Sequence, residues 1–281
     1  MENKYTYKYL DFKDDDTFVV NEKTLKIYVP ECNKDKKLGV MIVGLGGNNG
    51  TTLTSTLMAY NKNVKWENKN GEHTVKWYGS ISQYGSVNLG YDKEGKIVSK
   101  LIKNMVSLRK PEDIIISGWD ICEDNLYTAC KKNKVIDSQL LDKLKDDLEK
   151  ITPMKSIFYE GFIATNQNVK CNNIKNSSDQ SKWDDLCSIK ADIDEFKVMN
   201  NLEKVIVIWA GSTEKMNNKN YNSGSHLIES ILNNCPSIYP STIFAVATIL
   251  SGNIFMNTSP QNTINDAILE LAEQYGAHVG G

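Results

Sequence analysis

The sequence predicts an α/β protein with a doubly wound, mainly parallel sheet. Three observations predict it. An apolar run, Leu38-Gly39-Val40-Met41-Ile42-Val43, ends in the glycine cluster Gly44-Leu45-Gly46-Gly47-Asn48-Asn49-Gly50, and a helix-length segment, Thr51 to Tyr60, follows. Further down the chain, buried-type strands alternate with amphipathic helices, the pattern of parallel strands joined by crossover helices. Four strand ends carry small, polar or acidic residues: Gly44 to Gly50, Gly118 to Asp120, Ala210 to Thr213, and Thr258 to Ser259. In a parallel sheet those ends share one edge, where open α/β sheets bind ligands. Together these features predict a Rossmann-like domain.

The glycines at 44, 46 and 50 fit G-x-G-x-x-G. Gly44 can take the tight turn, Gly46 lets a pyrophosphate approach the backbone, and Gly50 lets the helix pack closely. The helix N-terminus then offers free N–H groups and a positive dipole end to the anion. This context points to a dinucleotide. An acid about 20 residues past the glycines is expected to hold the ribose. The region after Tyr60 is polar and irregular, and Glu67 follows no clear second strand, so the acid must come from elsewhere.

Composition bounds the function. The 281 residues include 33 basic and 35 acidic side chains, a formal net charge of −2, with 40% hydrophobic residues. That balance argues against a general nucleic-acid or membrane-surface binder and leaves any phosphate site local. Met1 to Tyr5 open no apolar run, so no signal peptide is expected. The longest apolar-leaning run, Ile243 to Leu250, is far shorter than a membrane span. The six cysteines show no C-x-x-C pairing and read as free thiols in a reducing, cytoplasmic setting. His73, His226 and His278 lie far apart, so no metal site is expected.

In chain order, residues 1–37 are charged and mixed and are expected to form a lead-in segment packing on a main domain of residues 38–281. Thr17 to Val20 and Leu25 to Pro30 read as short strands. Asn61 to Lys76 is a polar insert with a turn at Asn70-Gly71. Trp77 to Ile81 reads as a strand end and Ser82 to Gly90 as a loop. Asp113-Ile114-Ile115-Ile116-Ser117 is a buried strand that runs into Gly118-Trp119-Asp120. Asp120 therefore stands at a strand's carboxyl end and is the candidate ribose acid. It could equally cap the helix expected over Glu123 to Lys132, since Asp is a good N-cap.

Leu140, Leu141, Leu144 and Leu148 mark a helix over Ser138 to Lys150. Ser156 to Tyr159 reads as a strand. Trp183, Leu186, Ile189, Ile193, Phe196 and Met199 form the apolar stripe of a long helix. Val205 to Trp209 is the most strand-like run, ending in Ala210-Gly211-Ser212-Thr213-Glu214. His226 to Asn233 is a short helix, and Thr242 to Leu250 another, with Ser241 as its expected cap. Ile254 to Met256 is a short strand. Ile264 to Tyr275 is a helix that Gly276 is placed to end, and Ala277 to Gly281 begins a further strand.

Taken together, these stretches resemble the myo-inositol-1-phosphate synthase (inositol-3-phosphate synthase) family of eukaryotic type, N-terminal half only. The matching pieces are Gly44 to Gly50, Ser117-Gly118-Trp119-Asp120-Ile121, Phe162 to Gln167, Val205 to Trp209, Pro240 to Ala245, and Ser259-Pro260-Gln261-Asn262-Thr263, in the family's order. The resemblance runs from about Thr17 to the last residue. It implies an NAD-dependent isomerase that converts D-glucose 6-phosphate to 1D-myo-inositol 3-phosphate in inositol and phospholipid biosynthesis. NAD would be recycled through oxidation, aldol cyclisation and reduction.

On this resemblance Gly44, Leu45, Gly46, Gly47, Asn48 and Asn49 would cradle the pyrophosphate and Asp120 would hold the adenosine ribose. Ser156, Gln167, Ala210, Gly211, Ser212, Thr213, Thr258 and Ser259 would line the cofactor site. The family has Thr-Ala-Asn-Thr-Glu where this chain has Ala210-Gly211-Ser212-Thr213-Glu214, and Asn-Gly-Ser-Pro where it has Asn257-Thr258-Ser259-Pro260. The family continues past Gly281 with its tetramerisation and catalytic domain and its catalytic lysines. The 281 residues alone are therefore expected to be inactive, with no catalytic residue among them, and the full-length protein is expected to be a homo-tetramer. Two other readings of the residues stay open: another NAD-dependent dehydrogenase, and a non-catalytic nucleotide-binding or interaction module.

Overall fold

A computed structural model describes residues 2–14, 17–28, 36–92, 94–164, 171–175, 179–215 and 221–281. The elements run in order β1 (Glu2–Asp14), β2 (Thr17–Tyr28), β3 (Lys37–Val43), α1 (Asn48–Asn61), β4 (Lys65–Asn68), β5 (Gly71–Thr74), α2 (Ile81–Tyr84), β6 (Ser86–Tyr91), β7 (Ile97–Leu101) and β8 (Ile114–Asp120). They continue with α3 (Leu126–Asn133), α4 (Ser138–Leu148), β9 (Met154–Lys155), α5 (Lys182–Met199), β10 (Leu202–Trp209), α6 (Gly224–Leu232), α7 (Pro240–Leu250), β11 (Ile254–Asn257), α8 (Asp266–Tyr275) and β12 (His278–Gly280). The chain divides into two compact units, 1–35 with 76–110, and 36–75 with 111–281.

The first unit holds two antiparallel hairpins. β1 pairs with β2 from Glu2↔Tyr28 to Asp14↔Thr17, and β6 pairs with β7. This corrects the sequence reading in four places. β2 is one continuous strand, where two short ones were expected. β1 was hidden by its charge, although Tyr5, Thr6, Tyr7, Lys8 and Tyr9 alternate with period two, as a strand requires. Trp77 to Ile81 form no strand, and the stretch read as a loop contains most of α2 and of β6.

The second unit is built on a six-stranded parallel sheet of order β12-β11-β10-β3-β8-β9. Counted from β3, that is the Rossmann order 3-2-1-4-5-6, with the order reversing between β3 and β10. Both faces of the sheet are covered, so its central strands are apolar on both sides. Met41 and Val43 of β3 point into one cluster with Trp119, Ile189, Ile193, Val207 and Phe244. Val40 and Ile42 point into the other, with Leu126, Leu141, Leu144 and Leu148. The alternation follows from the two-residue period of a strand. α7 is buried from Pro240 to Ile249, as expected of a helix that is apolar all round.

Element ends explain several departures from the sequence reading. α3 starts at Leu126, because Asn125 caps it by accepting from the Thr128 amide at 2.9 Å. That frees Asp120 from the capping role. α7 begins at Pro240 with Tyr239 as its N-cap, so Ser241 lies inside the first turn and does not cap. β9 ends at Lys155. Ser156 makes only an isolated parallel bridge to Ile174, where a strand over Ser156 to Tyr159 was expected. Met199 is 75% exposed, so the stripe of α5 leaves the core one turn before the helix ends. Asn70 and Gly71 do turn the polar insert, into the β4–β5 hairpin, and Gly276 ends α8 in the left-handed region at φ +60°.

α5 opens with a full capping box. The Ser181 hydroxyl accepts from the Asp184 amide, and the Asp184 carboxylate takes the Ser181 amide in return. Ser181→Ala is expected to cost about 1 kcal/mol, measurable as a lower urea midpoint with an unchanged slope. An unchanged midpoint would show that the box contributes nothing. No helix among the described residues is long and apolar enough to cross a membrane.

Candidate functional site

A cleft of about 290 Å³ opens at the carboxyl ends of β3, β8 and β10. It sits where the strand order reverses, because loops leaving neighbouring strands there diverge to opposite faces of the sheet. The glycine loop forms one wall. The Gly44 and Leu45 amides both donate to the Trp119 carbonyl, at 2.8 and 3.1 Å, tying the loop to the end of β8. Gly44 turns at φ +88°, and a Cβ there would meet the Ala210 carbonyl oxygen at 3.1 Å. A Cβ on Gly50 would lie 2.3 Å from the Leu45 carbonyl oxygen, so helix and loop can touch only through glycine.

Asp120 locks this loop. Its Oδ2 accepts from the Gly46 amide at 2.8 Å and its Oδ1 from the Cys122 amide at 3.0 Å. Burial pushes the carboxyl above its usual range, and these backbone donors pull it partly back. From the other side, Asn133 Nδ2 donates to the Gly46 carbonyl at 2.8 Å. A third tie comes from Asn173, which is buried and donates to the carbonyls of Asp120, Pro153 and Met154. One side chain thus fastens the carboxyl end of β8 to the start of β9.

The opposite side of the cleft is apolar. Ile157, Phe158, Tyr159, Phe162, Ile163 and Pro240 line it. Phe162 packs edge-on against Tyr239 at 5.1 Å between ring centroids. The Tyr159 hydroxyl donates to Asp185 Oδ2 at 2.7 Å, and burial holds its pKa far above the ordinary range.

The residues picked from the sequence divide into groups. Gly44, Gly46, Gly47, Asp120, Ser156, Ala210, Gly211 and Ser212 all line the cleft. Leu45 is buried in the core, and Asn48 and Asn49 lie exposed in the first turn of α1. Thr213 is exposed and does not line the cleft. Thr258 and Ser259 hold the loop after β10 from behind. The Thr258 hydroxyl donates to the Trp209 carbonyl and the Ser259 hydroxyl to the Gly211 carbonyl, both at 2.7 Å. Gln167 lies outside the described residues.

The sequence reading missed Asn133, Asp124, Lys132 and Glu214. Nothing in the local pattern pairs the end of α3 with the glycine loop. Glu214 was visible as the last residue of Ala-Gly-Ser-Thr-Glu, but its burial was not. It is 4% exposed and accepts from the amide and hydroxyl of Ser241 in the first turn of α7. A carboxylate from a distant loop thus does the capping work expected of Ser241, at the positive end of the helix.

Burial nevertheless pushes the Glu214 pKa up to about 7, while the Ser241 donors pull it down. The folded value exceeds the unfolded one, so the native state holds the extra proton between the two. This contribution is full below about pH 4.5 and is lost as pH rises through about 7, by about 3 kcal/mol at most. The expected result is a wild-type stability that falls relative to Glu214→Gln between pH 5 and 8 in urea titrations. Parallel pH profiles for the two proteins would rule the effect out.

The residues fit a dinucleotide. The N-terminus of α1 has Gly47 as a cap with no side-chain hydrogen bond and no acid in the first turn, so its amides are open to an anion. A Cβ on Gly46 would lie 3.1 Å from Asp120 Oδ2, filling the space between the loop and the acid. Among the described residues no cluster of three or more His, Cys, Asp or Glu could hold a metal ion.

Comparison with known proteins agrees with this geometry. Residues 38–281 match the family model described as myo-inositol-1-phosphate synthase, NAD-binding part. The inositol-3-phosphate synthase of Saccharomyces cerevisiae is 36% identical over 289 aligned positions, covering 100% of this chain and 54% of the yeast protein. Human inositol-3-phosphate synthase 1 is 37% identical, covering 87% of this chain and 44% of its own length. The crystal structure of inositol-3-phosphate synthase from Caenorhabditis elegans superposes with a TM-score of 0.85 at 37% identity, covering all of this chain and 55% of the nematode chain. The chain thus spans about half the length of these relatives. It belongs to the myo-inositol-1-phosphate synthase family and carries that family's NAD-binding domain.

Proposed function

We propose that this chain is the cofactor-binding part of an inositol-3-phosphate synthase, an isomerase acting on D-glucose 6-phosphate. The observation that carries the reading is the joint geometry of the uncapped α1 N-terminus, the glycine loop and Asp120 in one cleft. In this reading the amides of α1 and the loop take the pyrophosphate, and Asp120 takes the ribose diol through the lone pairs its backbone donors leave open. Ser156 and the 210–212 loop border the cleft beyond the glycines. Bound NAD supplies a hydride acceptor and then a hydride donor, so the net reaction is redox-neutral. The apolar wall of Tyr159, Phe162 and Pro240 excludes water beside it.

The reaction also needs a carbonyl polarised and a proton removed beside it. Lys132, the one basic side chain among the described cleft residues, is engaged by Asp124. The reading therefore places the catalytic groups outside these 281 residues. It extends to a cytoplasmic, homo-tetrameric full-length enzyme, which sedimentation of that protein would check. The test for this chain is calorimetric titration with NAD+ beside a glucose 6-phosphate turnover assay. Binding without turnover is expected. Turnover by the chain alone would overturn its inactivity, and a folded chain that fails to bind NAD+ would overturn its role.

A further inference from the structure

The end of β8 carries a charge arrangement that binding of the pyrophosphate does not use. Asp120 lies in the floor of the cleft with both oxygens on backbone amides. Four residues on, Asp124 lines the same cleft with its side chain 24% exposed. Asp124 Oδ2 accepts from Lys132 Nζ and, at 3.2 Å, from the Cys122 thiol. Lys132 comes from the last turn of α3, is 63% exposed and is held by this ion pair. The paired ammonium in turn holds the Asp124 carboxyl below the ordinary carboxylate range.

We propose that Asp124 is a cofactor-specificity residue: by holding Lys132 it keeps the adenosine end of the cleft closed to a 2′-phosphorylated dinucleotide. A 2′-phosphate on the ribose that Asp120 binds would bring a near-dianion against that carboxylate and within the field of Asp124. Sites that accept such a phosphate supply a basic side chain to it. Here the basic side chain is present at the rim, and Asp124 has already taken it. Removing the acid does two things at once: it deletes a repulsive charge and frees the ammonium to reach the phosphate. Cys122, between the two acids, adds no charge of its own, since burial and both carboxylates push its thiol upward.

The inference rests on the cleft being the dinucleotide site, and the experiment separates the two. Dissociation constants for NAD+ and NADP+ are measured by calorimetry on the wild-type chain, Asp124→Asn, Lys132→Ala and the double variant, with circular dichroism confirming the fold of each. The wild type is expected to prefer NAD+. Asp124→Asn should move the NADP+/NAD+ affinity ratio toward NADP+ by roughly tenfold, the worth of one charge-assisted hydrogen bond. Adding Lys132→Ala should return the ratio most of the way, while Lys132→Ala alone should leave it near the wild-type value. An unchanged ratio in folded Asp124→Asn overturns the proposal, as does a shift that survives undiminished when Lys132 is also removed. If the folded wild-type chain binds neither nucleotide, the cofactor reading itself fails and this proposal falls with it.

Discussion

Gly118→Ala is expected to destabilise the NAD-binding domain by about 3 kcal/mol or more, the top of the range for overpacking a core. Gly118 lies in β8 directly opposite Ile42 of β3. A Cβ there would stand 2.1 Å from the Ile42 carbonyl oxygen, 2.7 Å from its nitrogen and 2.9 Å from its carbonyl carbon. All three are backbone atoms, so no rotamer change relieves the contact. The strands would have to separate, and the ladder from Leu38↔Ile114 to Val43↔Trp119 with them. Because the Trp119 carbonyl anchors the glycine loop, the cleft would open at the same time. For a domain of this size the expected fall in Tm is roughly 6–12 °C, read by circular dichroism on heating. A variant that melts with the wild type would show that the two strands yield more easily than their hydrogen bonding implies.

Asp120→Asn is the second large effect, and here the readout is binding. The substitution looks conservative but is not. Both carboxylate oxygens accept backbone N–H groups, from Gly46 and from Cys122. An asparagine offers one oxygen and one NH2, so it must turn a donor toward a donor. One loop amide loses its partner, and in the proposed site the ribose loses one charged acceptor. Hydrogen bonds to charged groups are worth about 1.5–3 kcal/mol, which predicts an NAD+ affinity roughly 10- to 100-fold weaker. Titration of the folded variant measures it. Affinity equal to wild type would remove Asp120 from the site.

The parallel sheet was readable because its central strands are continuous β-branched and apolar runs. The glycine loop was readable because only glycine fits Gly44 and Gly50. The proposed ribose acid was harder to assign, since Gly46 and Asp120 are 74 positions apart while the fingerprint expects about 20. In the fold Asp120 ends the strand next to β3 on the side away from β10, and its carboxylate meets the Gly46 amide. The β4–β5 hairpin and the whole of 76–110 lie between the two in sequence. β1 was missed because its aromatic residues are interleaved with lysines and acids, and β6 because Ser86, Asn88 and Gly90 read as loop residues. Glu214, Asn133 and Asn173 were missed for another reason. Each works through a partner far along the chain, and local pattern carries no information about such pairs. Thr258 and Ser259 were expected to line the cofactor site, and their hydroxyls donate to backbone carbonyls of the loop after β10.

The central position of β3 has a consequence for how the domain assembles. Leu38 pairs with Ile114 on one side and with Lys204 on the other, so this early strand waits for two distant ones. The β10–β11–β12 side, with α7 and α8 between its strands, is local by comparison and can collapse sooner. The cleft exists only when β3, β8 and β10 are all in register. A dinucleotide bound there has no site on any partly folded chain, so it acts as a ligand of the finished sheet alone. At a free concentration 100 times its Kd it would add about 2.7 kcal/mol to the stability of the whole unit, tying the lifetime of the domain to the supply of its own cofactor.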